Sequence, residues 1–206
     1  MGVRKAVVSL LTVLALASCG GGMGADTQVL SATSSVPSVK LDLACCSSYD
    51  PQTGDCTLVP SSGKTFTITV RNDSLDWFDK EQAVSVKGCS FELIPIGATP
   101  DAPKEATSYL SCTTPTINSG ETGEVQISIP DAFVSLFKDL YFSSGLDAFA
   151  YQLNINLTLV GQESGEYRLT VPVVLEMADY PIGAPPEENL CQTQNDQTQN
   201  EGSEGE

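Results

Sequence analysis

Residues 151–177, YQLNINLTLVGQESGEYRLTVPVVLEM, decide the fold. Tyr151, Leu153, Ile155, Leu157 and Leu159 alternate with Gln152, Asn154, Asn156 and Thr158. After the turn GQESG the period resumes through Tyr167, Leu169, Val171, Val173, Leu175 and Met177. A period of two puts one set of side chains on a single face of a strand, so the stretch predicts a long hairpin with one apolar face. Burying five such side chains contributes on the order of 10 kcal/mol before the entropy of ordering is charged. Pro172 falls on the other face of the second strand. It cannot donate to a ladder, so that strand is expected to be an edge, or to carry a bulge, at this point.

The same period recurs outward from the hairpin. Val39, Leu41 and Leu43 alternate with Lys40, Asp42 and Ala44; Phe66, Ile68 and Val70 alternate with threonines; Val125, Ile127 and Ile129 enclose Gln126 and Ser128. Two further strands are expected around Ala83–Ile94, interrupted by Gly88, and around Thr107–Thr113. One helix is expected in PDAFVSLFKDLYFSSG (130–145), with Asp131 as its cap and Phe133, Leu136, Phe137 and Leu140 on one stripe. Seven or eight strands with turns between them and a single helix predict two packed antiparallel sheets. On that pattern the chain resembles the immunoglobulin-like sandwiches common in bacterial surface and periplasmic proteins. It lacks the Cys, Trp, Cys spacing of antibody domains, since Trp77 lies in the loop-like RNDSLDWFDK.

The ends read differently. Arg4 and Lys5 precede an apolar run, Ala6–Ala17, that is too short to span a bilayer but suits the core of an export signal. Leu16, Ala17, Ser18 and Cys19 then match the lipobox of bacterial lipoproteins. That resemblance implies cleavage before Cys19 and attachment of a diacylglycerol to its sulfur, usually with acylation of the new amino terminus. Residues 1–18 are thus expected to be a signal peptide and 19–36, rich in Gly, Ser and Thr, a lipidated cysteine and flexible tether. A β-sandwich domain is expected over 37–179. Residues 180–206, rich in Gln, Asn and Glu, hold too little apolar surface to repay the entropy of folding and are expected to form a disordered acidic tail. The membrane is then a partner through the anchor. Gly20 is not an acidic retention signal, which favours the outer membrane in a cell with two.

Chemistry is bounded mainly by what the composition omits. The 206 residues include no histidine, which excludes nucleophile activation by imidazole and every metal site built on it. No GxSxG, CxxC, GxxxxGK[ST] or GxGxxG occurs. The formal charge is −16, and without Arg4 and Lys5 eight basic residues face 26 acidic ones, giving −18. Such a field repels phosphate backbones, so nucleic acid is not an expected partner.

Seven cysteines are an odd number for an exported protein. Lipidation of Cys19 leaves six, an even set suited to three disulfides. Adjacent Cys45 and Cys46 sit closer than an unstrained bridge prefers and, in extended chain, point to opposite faces. The turn SYDPQTGD can return Cys56 to Cys46, Cys89 and Cys112 flank one long loop, and Cys45 is left for Cys191.

Asp50 and Asp55 in one loop, and Asp73, Asp76 and Asp79 in another, are candidate calcium ligands, although neither loop matches an EF-hand. Trp77 and Phe78 are candidates for an aromatic ligand platform. The leading expectation is a non-catalytic, lipid-anchored envelope protein, with no cofactor, whose sandwich engages another envelope component through loops or an edge strand. A glycan- or calcium-binding module is the first alternative, and a carboxylate-based hydrolase the second.

Overall fold

A computed structural model describes residues 30–73, 83–161, 165–179 and 190–191. Its elements run β1 (Leu30–Ser34), β2 (Ser38–Asp42), β3 (Cys45–Tyr49), β4 (Cys56–Val59), β5 (Lys64–Asn72), β6 (Val84–Pro95), a 3₁₀ turn (Ala106–Tyr109), β7 (Ser111–Cys112), β8 (Thr116–Ile117), β9 (Thr122–Ile129), α1 (Asp131–Ser144), β10 (Phe149–Gly161) and β11 (Glu166–Ala178). They form a mainly-β sandwich with one helix. One sheet has the order β1-β5-β9-β7, the other β2-β11-β10-β6-β8, and β3 and β4 make a small separate hairpin.

The β10–β11 hairpin organises the core. Its strands pair in unbroken register from Phe149 opposite Met177 to Val160 opposite Glu166. Tyr151, Leu153, Ile155, Leu157 and Leu159 are fully buried, as are Leu175 and Met177. They share one apolar cluster with Phe66, Ile68 and Val70 of β5 and Val125, Ile127 and Ile129 of β9, so the inner faces of the two sheets meet in a single core. Pro172 lies opposite Asn154 of β10. On its other side β2 pairs only Val174–Ala178 of β11, so the proline sits where the strand is locally an edge.

Several elements differ from the sequence expectation. Leu30–Ser34, placed in the tether, form β1 against β5, with Leu30 buried; its Ser- and Thr-rich alternation is too short to distinguish from a linker. The sheets are not antiparallel throughout, because β2 runs parallel to β11. The cause is a single strand that changes sheets: the Ser35 amide donates to Thr67 of the first sheet, and the Pro37 carbonyl accepts from Val174 of the second. The chain keeps its direction through the switch and therefore meets the final strand in parallel.

Gly88 does not interrupt β6. The strand runs through it with a register shift, since Gly88 opposes Thr158 while Val86 opposes Leu159, leaving Lys87 as the extra residue of a bulge. Of Thr107–Thr113 only Ser111 and Cys112 are strand, and the preceding turn is 3₁₀. This segment crosses between the sheets and is tied to β6 by the Cys89–Cys112 disulfide, at a Cα separation of 6.3 Å.

Helix α1 is capped by Pro130 rather than Asp131, which lies in the first turn. Asp131 instead reaches outside the helix, accepting the Gly63 amide at 2.6 Å. A side chain on Gly63 would run into the Ile129 carbonyl, so glycine is required where this loop crosses β9. Phe133, Val134 and Phe137 are buried, with Leu136 and Leu140 packed at the margin of the same core. Phe137 meets Tyr151 edge to face at 5.3 Å, fixing the helix across the start of β10. The helix ends at Gly145, whose φ of 69° is a left-handed conformation that glycine adopts without strain.

The β3–β4 hairpin is held differently. Cys46 is bonded to Cys56 and Cys45 to Cys191, with Cα separations of 5.6 and 4.8 Å. Leu190 bridges to Cys46 in parallel, and the Cys191 amide donates to the Cys46 carbonyl at 3.0 Å. Within the segment expected to be a tail, these two residues are therefore fastened to the domain.

Candidate functional site on the outer sheet face

The face of the five-stranded sheet turned away from the core is the site that the topology builds. Register aligns three strands and the residue after β6 in one row: Lys40 of β2 is opposite Glu176 of β11, Glu176 is opposite Ala150 of β10, and the Ala150 carbonyl accepts the Ile96 amide at 2.8 Å. All four side chains leave the sheet on the outer side. With only a methyl group at Ala150 the middle of the row is low. Ile96, Ala98, Leu146 and Ala148 rise around it, leaving a hollow of about 440 Å³.

Two loops make the walls. One follows β6 and is fixed by Thr99, whose hydroxyl accepts the Ala150 amide at 3.0 Å. The other follows α1 and is fixed by Tyr141, whose hydroxyl donates to the Asp147 carbonyl at 3.1 Å while its ring packs on Phe149. Below the floor, Tyr151 donates to the Pro100 carbonyl at 2.8 Å. Burial, with a smaller contribution from Asp101, pushes the Tyr151 phenol up to about 12, so it is a neutral donor across the physiological range. The hollow thus rests on a fixed aromatic and hydrogen-bonded base.

Away from the hollow the outer face turns polar. In the next row Ile94, 40% exposed, and Val174 flank Gln152. Gln152 donates to Asn154 at 2.8 Å, Asn154 to Glu92 at 3.1 Å, and the Thr170 hydroxyl to Asn156 at 2.7 Å. The amides and hydroxyls of this region bond one another along and across the strands. An apolar hollow beside a hydrogen-bonded polar ladder can seat a small apolar group. It assembles no nucleophile with a base.

The residues singled out by sequence lie elsewhere. Asp50 and Asp55 shape the β3–β4 turn: Asp50 accepts the Gln52 amide at 2.8 Å and its backbone amide donates to the Asp55 carbonyl at 2.9 Å. Asp73 is engaged by Arg71, at 2.6 and 2.8 Å, on the exposed surface. Among the described residues no three acidic or cysteine side chains gather as a metal site, so the structure does not bring Asp50, Asp55 and Asp73 together. Asp76, Trp77, Phe78, Asp79 and Cys19 lie outside the described residues. The hollow itself was missed. Its row is assembled from positions 40, 96, 150 and 176, which share no local motif.

No family model matches the chain, and no curated protein does. Among solved structures, the crystal structure of the periplasmic chaperone SfaE matches at 10% identity with a TM-score of 0.31. The match covers 79% of this chain and 61% of that one, so the chain spans less than two thirds of the length of the protein it resembles. A likeness at this level bears on neither activity nor partner.

Proposed function

We propose that the protein is a non-catalytic envelope lipoprotein, held in the membrane by acyl chains on Cys19, whose sandwich engages another envelope protein through the outer face of its five-stranded sheet. The observation that carries this reading is the hollow over Ala150. It is a largely apolar recess set on a sheet and walled by two fixed loops, a concave apolar patch with a polar rim of the kind that marks interaction sites. The leader LASC (16–19) supports the anchor. The acidic composition supports attachment through lipid rather than through a basic patch. In a cell with two membranes, Gly20 directly after the anchor favours the outer one.

Acylation is tested by feeding labelled fatty acid to cells expressing the wild type or Cys19→Ser. Label in the wild type alone is the expected result, and equal label in both removes the anchor from the account. Docking is tested by chemical cross-linking in intact membranes followed by capture. Ile96→Asp, on the exposed wall of the hollow, should lose the cross-linked partner while keeping the wild-type melting temperature.

A further inference from the structure

Resting on the reading that this face docks a partner, we infer that the hollow receives an extended peptide segment carrying one aliphatic side chain flanked by lysine or arginine. The aliphatic part follows from the lining, in which Ile96, Ala98, Leu146, Ala148 and Ala150 are all apolar. The floor is the methyl group of Ala150, set between Glu176 and Ile96, so a branched aliphatic side chain can descend to the sheet and lose its water-exposed surface there.

The basic flanks follow from the charge left at the rim. Glu176 lines the hollow, and Asp147, exposed, lies between the lining residues Leu146 and Ala148. Neither carboxylate has a hydrogen-bonding or ionic partner among the described residues; the bond at Asp147 is to its backbone carbonyl. Lys40, the base on the lining, has an interaction of its own. The rim therefore carries two carboxylates against one lysine, a net negative charge, on a chain that without residues 1–18 has 26 acidic residues against eight basic ones. An incoming lysine or arginine gains attraction both at the rim and during approach, and an incoming carboxylate is repelled at both.

The experiment uses the soluble domain from residue 20 onward, disulfides intact, and four labelled peptides: a central leucine or glycine, flanked on each side by two lysines or by two glutamates. Fluorescence anisotropy should show binding only for the lysine peptide with leucine, weakening as salt rises from 50 to 300 mM. Ala150→Trp, which fills the floor, should abolish it. Lys40→Glu should tighten it three- to tenfold and Glu176→Lys weaken it by a similar factor.

Equal binding of the glycine peptide would show that general acidity attracts the lysines and would overturn the inference. Equal binding of the glutamate peptide would overturn it as well. If no peptide binds, yet Ala150→Trp abolishes cross-linking to the native partner, docking at this face stands and the stated chemistry fails. If Ala150→Trp leaves that cross-link intact, the docking face itself is misplaced.

Discussion

The two faces of the β10–β11 hairpin share one backbone and one register yet answer to different constraints. On the inner side, from Phe149 to Leu159, every second residue of β10 is buried. Any polar atom there must find a partner, as Tyr151 does at Pro100. On the outer side the residues grade from Thr158 and Arg168 at one end to Ala150 and Glu176 at the other, and none is fully buried. Burial forces a pattern on the first face. The second is free to vary, and at the Ala150 end it carries an apolar recess. A stable inner face thus leaves the outer face free to carry function.

Substitutions can break or sharpen this contrast. The largest effect should come from the disulfide that closes the longest loop. The double variant Cys45→Ser, Cys191→Ser frees a loop with a sequence separation of 146 and should cost about 4 kcal/mol, read as a fall in the denaturant midpoint. Deleting Gln192–Glu206 beyond that clamp should leave the midpoint unchanged, because the segment has almost nothing apolar to bury. On the inner face, Leu153→Ala should cost about 3 kcal/mol in the same measurement, through lost transfer energy and the cavity left behind.

Tyr151→Phe should cost about 1 kcal/mol at neutral pH by removing the bond to Pro100. The wild type has a second signature. With the folded phenol raised to about 12 against the usual 10, the stabilisation is complete below pH 10 and is lost as pH climbs from 10 toward 12. Tyr151→Phe should remove that particular alkaline loss. The smallest effect should be that of Asn156→Ala on the outer face, within about 0.5 kcal/mol, because its bond to Thr170 is exposed to water. A cost comparable to that of Leu153→Ala would mean the polar ladder is structural and would erase the contrast between the faces.

The same contrast explains what could be read in the sequence. The inner face was legible because burial and the strand period act on consecutive residues, as in Tyr151 to Leu159. The stripe of α1 was legible for the equivalent reason at a period of 3.6. Cysteine pairing was accessible to geometry because Cys45 and Cys46 are adjacent and Cys56 follows across one turn. β1 was hidden by a composition, LSATS, that serves equally as linker or short edge strand. The parallel β2–β11 pair depends on a strand changing sheets at residues 35–37, which is a tertiary event. The hollow was hidden most deeply. Ala150 is unremarkable until register sets it between Glu176 and the backbone of Ile96, and the loop tryptophan and the aspartates drew attention because their side chains are conspicuous.

The most direct test of the account compares cross-linked capture from native membranes by the wild type and by Ala150→Trp, with thermal melts of both. The account predicts matching melts and loss of a specific cross-linked protein from the variant, since the outer face docks while the inner face folds. The same protein captured at the same level by a correctly folded Ala150→Trp would contradict it.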